Sequence, residues 1–317
     1  MSQEILNGIS TKVLKRRRFL HKAYNQRFLY LMALPGIIWI FIFSFGPMQG
    51  WLMAFQDFNL NKGIWGSPFV GLKHFAQLFN SAEMLGILRN TVAISILGII
   101  FGNLCPLLLA LSINEVSAMP FKRTVQTIAY LPYFVSYVVV ANLFLSMFGI
   151  DGVVNDILMS LKIIARPTQV WADKNSFWGM VTLVNVWKGI GWGTIIYLAT
   201  IASVDTEIYE AAVIDGAGRF KRMQYITVPS ILPVVIVLWI LSLGSIFDAG
   251  FDASYLLGNA VTRETSEVID TYVYRVGIGG GMYSFSTAAS FFKMIIGFAM
   301  VLISNKLART YTDYSLW

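Results

Sequence analysis

The sequence predicts an all-α polytopic membrane protein with six transmembrane helices, and three observations carry that expectation. Hydrophobic residues make up 56% of the 317 and charged residues 13%, where an average soluble domain is about 25% charged. Mean hydropathy is +0.64. Six long stretches are nearly free of Asp, Glu, Lys and Arg, and they alternate with segments where charge, Gly and Pro collect. A helix needs about 20 apolar residues to cross about 30 Å of hydrocarbon at 1.5 Å per residue. The stretches are too long and too continuously apolar for the alternating strands of roughly 10 residues that build membrane barrels.

Taken in order, residues 1–27 form a basic tail with seven Lys and Arg against one acid. The first span, near 28–54, exceeds the 7–15 apolar residues typical of a cleaved signal peptide and reads as a retained anchor. The second and third are placed near 90–113 and 124–149. The fourth, near 176–202, contains Lys188, and the fifth lies near 229–248. The sixth, near 284–305, contains Lys293, and 310–317 is a C-terminal tail; residues 28–309 make one membrane domain. Pro35, Pro106, Pro132 and Pro233 sit in or beside spans, where neighbouring helices can satisfy the freed carbonyls around a kink. Gly98-x-x-x-Gly102 and Gly189-x-x-x-Gly193 predict close helix packing.

Charge placement sets the orientation. The tail, the short loops holding Lys122, Arg123, Arg219, Lys221 and Arg222, and the C-terminal Lys306 and Arg309 share one side, with 14 Lys and Arg against 8 on the other. The positive-inside rule makes that side, with both termini, cytoplasmic. The net charge of +7 is concentrated in the tail, where it orients the chain and meets anionic lipid; it is not a nucleic-acid footprint. Cys105 is the single cysteine, and His21 and His74 are far apart. An intrachain disulfide is therefore excluded, and a zinc site has no ligand set. No Gly-Lys dipeptide occurs, so the chain has no Walker A phosphate loop, and the Gly277–Gly281 run follows no strand. A cofactor bound by this chain, and an enzyme activity of its own, are not expected.

The segment 203–229 is the most informative. Asp205 or Thr206 can cap a short helix through Ile208, Ala211 and Ala212. Gly216 and Gly218 break it, a second helix runs over Phe220–Ile226, and Pro229 opens the next span. The pattern Glu210-Ala211-Ala212, three residues, Gly216, nine residues, Ile226, one residue, Val228-Pro229 resembles the EAA loop of bacterial ABC-importer permeases, with Val-Pro where that family has Leu-Pro. Asn185–Ala199, Ile269–Gly277, Asn305–Arg309 and Tyr314–Trp317 extend the resemblance to the carbohydrate branch, in particular to importers of alginate and pectin fragments (rhamnogalacturonan).

The resemblance covers about residues 25–317 and implies a type I ABC importer permease fold. It further implies a second, homologous permease subunit, two cytoplasmic ATPase subunits that hold ATP and Mg²⁺, and an extracytoplasmic solute-binding protein. In such a permease Glu210, Ala211, Ala212, Asp215, Gly216 and Arg219 form the ATPase-coupling loop, with Glu210 meeting an ATPase Arg and Gly216 permitting the turn. The expected home is a bacterial cytoplasmic (inner) membrane, with an oligosaccharide as substrate and alternating access as mechanism.

Lys188 and Lys293 stand out because intramembrane charges usually face a bundle interior or a water-filled path; Asp248 and Asp252 are their candidate partners. Tyr133, Tyr137, Asn142, Asn185, Trp187, Trp192 and Tyr197 can supply the aromatic faces and hydrogen bonds that sugars need. Two lysines in the path would suit an acidic oligosaccharide. The competing reading is a stand-alone secondary transporter or channel for small polar solutes, which typically shows internal repeats and coupling acids in broken helices.

Overall fold

A computed structural model describes residues 25–311, so most of the basic tail and the Tyr314–Trp317 ending lie outside the described residues. The chain divides into two units, Met1–Met53 with Phe58–Ser67, and Ala54–Asp57 with Pro68–Trp317. The first holds helix α1, Arg27–Ile40, which continues through a π turn, Phe41–Phe45, into the 3₁₀ segment Gly46–Phe55, whose last two residues belong to the second unit. Helix α1 buries no side chain. An apolar helix that turns nothing inward is built for lipid or for another chain.

The second unit is a bundle. Helix α2 spans Lys73–Asn80 and α3 Met84–Glu115; α4 is Met119–Phe134, α5 Tyr137–Met147 and α6 Val153–Ser160. Helix α7, Phe177–Ala202, packs along α3 and α4. Helix α8 is Thr206–Ile214, α9 Arg219–Arg222 and α10 Val228–Gly244. Helices α11, Phe251–Leu257, and α12, Ile269–Val273, precede the last long helix α13, Tyr283–Tyr311, which packs on α10. No strand occurs among the described residues. Three apolar clusters hold the bundle. One surrounds Phe144, Phe177, Val181 and Leu257, one Leu78, Ile87, Ile269 and Phe285, and one Ala110, Tyr197, Ile201 and Ile231.

Among the described residues, four helices are long and apolar enough to cross a membrane: Arg27–Phe55, Met84–Glu115, Arg219–Gly244 and Tyr283–Thr310. They make the chain a multi-pass membrane protein. Two expected spans differ from simple rods. The apolar run 124–149 is a pair, α4 and α5, bent by 106°; counted as one span, it makes five. Pro132 near the end of α4 and the extended Val135 and Ser136 open the backbone there, and the Ser136 hydroxyl accepts from the Val139 N–H at 3.4 Å to start α5. Helix α7 has the length of a span, but Asn185, Lys188 and four glycines dilute its apolar character.

The expected separate helix Phe220–Ile226 and the start of the fifth span at Pro229 are also corrected. Residues 219–244 form one helix, with a π turn over Met223–Thr227. A proline removes one helix hydrogen bond and crowds the preceding turn, and the widened π turn just before Pro229 absorbs both.

The two small-residue patterns separate as well. In α7 the tight approaches are at Gly191, where a Cβ would overlap the Ala129 backbone of α4, and at Gly193, where it would lie 2.9 Å from Pro106 of α3. At Gly189 it would meet nothing within 4 Å. Gly98 and Gly102 are equally open. Gly102 O nonetheless lies 4.0 Å from where a Gly193 Cβ would sit, so α3 and α7 approach there, while both α3 glycines also border an open groove.

Candidate functional site

The loop 203–218 is built by local rules. The Asp205 carboxylate caps α8 by accepting from the Glu207 N–H at 3.0 Å. At the other end the Ala217 N–H donates to Ala212 O at 2.8 Å and the Gly216 N–H to Val213 O at 3.0 Å. That is a Schellman closure, and it needs a left-handed residue, which Gly216 supplies at φ +77°. Helix α8 buries no side chain, and Ile214 at its end is 86% exposed. Glu210, Ala211 and Asp215 are exposed, and Ala212 is half-buried.

The Tyr209 hydroxyl meets buried Thr227 Oγ1 at 2.9 Å, which anchors α8 to the long helix behind it. Arg219 turns back and donates to Ser117 Oγ at 3.4 Å, in the turn between α3 and α4. The result is an anchored but exposed helical knob, with an apolar tip and an acidic flank.

The second locus is the α4–α5 corner. Lys188, 8% exposed, donates to the carbonyls of Tyr133 at 2.8 Å, Val135 at 2.7 Å and Pro132 at 3.4 Å. A helix C-terminus leaves carbonyls without partners and carries partial negative charge, so an ammonium fits there. The Tyr133 and Tyr137 rings lie 5.5 and 5.0 Å from Nζ, within cation–π range. The Tyr137 hydroxyl donates to Asn185 Oδ1 at 3.3 Å. Trp192 stacks on Tyr133 with ring centroids 4.8 Å apart, and both rings keep an exposed face. The structure thus gathers Tyr133, Tyr137, Asn185, Lys188 and Trp192 around one bend. Trp187 instead packs edge-on against Phe144, and Asn142 donates to Val138 O in its own helix.

Lys293 of α13 is held by Asp270 of α12 at 2.7 and 2.9 Å, and lies 3.5 Å from Asp248. Asp248 is a partner, as the sequence suggests, but Asp270 is the closer one. It lies in a segment that hydropathy assigns to a loop, and nothing in its spacing singles it out. The other predicted partner, Asp252, makes no ion pair with Lys293 but lies within electrostatic range of Lys188. Both lysines are therefore engaged within the chain, and the argument that they would attract an acidic sugar loses its basis.

At the end of the bundle away from α8, polar bonds staple the 259–275 segment to α3. Asn90 Nδ2 donates to Glu264 O at 2.9 Å and Glu267 O at 3.0 Å, and the Ile269 N–H donates to Thr91 Oγ1 at 3.0 Å. Arg275 donates to both Glu267 oxygens at 2.6 and 3.0 Å and to Glu83 at 2.9 Å. Its hydrogen bonds to Glu267 push the guanidinium pKa above its ordinary value. Across the same segment, the hydrogen bond from Lys174 holds the Glu264 carboxyl below its usual range. Arg275→Met leaves the mostly buried Glu267 carboxylate with only Arg263 at 3.5 Å. The expected cost is about 1–2 kcal/mol, discounted because Arg275 itself is partly exposed. A thermal melt of the purified protein measures it, and an unchanged midpoint would show the clamp to be energetically idle.

Comparison with known proteins places these features in a family. Residues 94–313 match the binding-protein-dependent transport system inner membrane component family. The polygalacturonan/rhamnogalacturonan transport system permease protein YteP of Bacillus subtilis (strain 168) is 40% identical over 316 residues, covering 98% of this chain and 97% of its own. Protein LplB of the same organism is 40% identical over 294 residues, 92% of each chain. Among solved structures, a bacterial ABC transporter involved in the import of the acidic polysaccharide alginate is 37% identical, with a TM-score of 0.84 over 93% of this chain and 99% of that one. The same level of identity and a TM-score of 0.85 link the chain to a bacterial alginate ABC transporter in complex with an alginate pentasaccharide-bound periplasmic protein. With its all-helical membrane bundle and a match over more than two thirds of its length, the chain belongs to the family of binding-protein-dependent transport system inner membrane components, the permeases of ABC importers.

Proposed function

We propose that this chain is the permease subunit of an ATP-driven importer that moves an oligosaccharide into the cytoplasm by alternating access, with ATP and Mg²⁺ held by a separate ATPase. The observation that carries the reading is the knob at 203–218. Helix α8 presents an apolar tip and Glu210 outward, and its closure at Gly216 is fixed by hydrogen bonds. A rigid projecting helix of this kind can transmit motion between subunits, which a floppy connector cannot. The chain itself offers no phosphate loop.

In this reading the basic tail 1–27, α8 and the C-terminal tail 310–317 are cytoplasmic. Residues 28–309 form the permease domain, and the 259–275 clamp faces the solute-binding protein. The partners are a second permease of the same kind, two ATPase subunits, the solute-binding protein and membrane lipid. The permease names among the relatives favour uronate-rich oligosaccharides, alginate or pectin fragments.

Glu210 is the decisive test, because it is exposed and makes no hydrogen bond or ion pair among the described residues. Replacing it should leave the fold alone. Glu210→Ala is expected to reduce co-purification of the ATPase with the permease at least tenfold, about 1.4 kcal/mol or more of lost interface energy. Full retention of the ATPase, with normal saccharide-stimulated ATP hydrolysis, would remove the coupling assignment.

A further inference from the structure

A cavity of about 530 Å³ opens at the α8 end of the bundle, between the last residues of α3, the last residues of α7 and the base of α8. Pockets for small ligands run from about 300 to 1,000 Å³. Its charged walls are Glu115 from α3 and Arg219 and Arg222 from α9, and its apolar walls include Val116, Ile201 and Val204. Tyr209 of α8 lines it as well, held in place by its bond to Thr227. The charged side chains do not satisfy one another: no ion pair joins Glu115 to either arginine among the described residues.

Arg222 points to a ligand most directly. It is half-buried, and its Nε is shielded from solvent with no hydrogen-bond partner among the described residues. A guanidinium carries five donors in a fixed fork, and a shielded donor is costly to leave unpaired. Arg219 spends one long bond on Ser117 Oγ at 3.4 Å. Glu115 is half-buried and makes no side-chain bond among the described residues. Two cations and an anion around one space, without bonds between the signs, are all satisfied by a ligand that carries both signs itself. The cavity also sits where the apolar spans end. Arg222 directly precedes the apolar run 223–244, and Ile201 and Ala202 are the last residues of α7. Long basic side chains at that height reach the headgroup layer, and basic pockets between span ends take phospholipid phosphates.

We infer that this cavity is a binding site for the headgroup of a zwitterionic phospholipid with a free ammonium, phosphatidylethanolamine, drawn from the leaflet on the α8 side. The phosphodiester meets Arg222 and Arg219, whose planar forks match phosphate oxygens. The ammonium meets Glu115. Val116, Ile201 and Val204 cover the glycerol and the first methylenes. Phosphatidylglycerol brings the phosphate but no cation for Glu115, and phosphatidylcholine brings a quaternary ammonium with no N–H to donate. Glu210 also borders the cavity, but it is exposed and is the side chain assigned above to the ATPase, so the headgroup is left with Glu115.

The test is a lipid titration of the full transporter complex, delipidated in mild detergent, with bound copies counted by native mass spectrometry. One phosphatidylethanolamine is expected to bind about fivefold or more tightly than phosphatidylglycerol or phosphatidylcholine, the scale of one charge-assisted hydrogen bond at a partly exposed site. Glu115→Gln should cut that preference to below about twofold while phosphatidylglycerol still binds. Arg222→Gln should weaken phosphatidylethanolamine by about fivefold or more. Equal affinity of the native complex for the three lipids would overturn the inference without recourse to any variant. A preference that neither substitution changes would place the lipid elsewhere and overturn it equally. Displacement of the lipid by free O-phosphoethanolamine at matching concentration would make the ligand a soluble phosphate and overturn the lipid assignment.

Discussion

Lys188→Met is expected to destabilise the protein by about 2–5 kcal/mol. The ammonium is the hydrogen-bond partner of the Tyr133 and Val135 carbonyls at 2.8 and 2.7 Å. Each carbonyl left without a partner inside an apolar bundle costs about 1–3 kcal/mol. Pro132 O is less affected, because it already accepts from the Val135 N–H. Methionine does relieve the cost of burying a charge, which is several kcal/mol in its own right. That relief is small here because the ammonium is solvated by carbonyl dipoles and two aromatic faces. The check is the thermal midpoint of the purified complex, read beside uptake. A lowered midpoint, partly restored by Lys188→Arg, identifies Lys188 as the positioning residue of the 106° bend. A normal midpoint with selective loss of acidic-sugar uptake would return it to the translocation path.

The contrast between Lys188 and Glu210 shows what a sequence can and cannot convey. The loop around Glu210 is legible because its geometry is local. The cap at Asp205, the helix and the left-handed turn at Gly216 all involve residues within a dozen positions, and turn chemistry ties each residue type to its conformation. The long apolar helices are legible for the same reason, since hydropathy is a property of a window. Lys188 is conspicuous in the sequence, but its partners are backbone carbonyls more than 50 residues away, and a carbonyl has no sequence signature. Asp270 is invisible as the partner of Lys293 because an acid in a loop is ordinary. The open space beside Gly98 is invisible because Gly98-x-x-x-Gly102 and Gly189-x-x-x-Gly193 read alike, while only at Gly193 would an added Cβ meet another helix closely. What decides between close packing and empty space is which neighbour faces the stripe, and that is set by tertiary contacts alone.

Substituting alanine along the α7 glycines is expected to give a graded series, with Gly191→Ala the most damaging. A Cβ at Gly191 would overlap the carbonyl oxygen of Ala129 and approach Tyr130 Cα to 2.7 Å. The obstruction is backbone, so no rotamer change can relieve it, and α4 must move away from α7. Overpacking commonly costs 1–3 kcal/mol where side chains can shift; with a fixed backbone the expected loss is about 3 kcal/mol or more. Displacing α4 also withdraws the Lys188 carbonyl cradle, so Gly191→Ala and Lys188→Met should be strongly non-additive. Gly193→Ala, 2.9 Å from the Pro106 ring, should cost less, because that ring can shift slightly. Gly189→Ala meets nothing and should be neutral or stabilising by up to about 1 kcal/mol through helix propensity. Thermal melts of the three variants test the order directly. Equal effects at 189 and 191 would mean that α4 and α7 do not meet as described, and the corner built on their contact would fall with it.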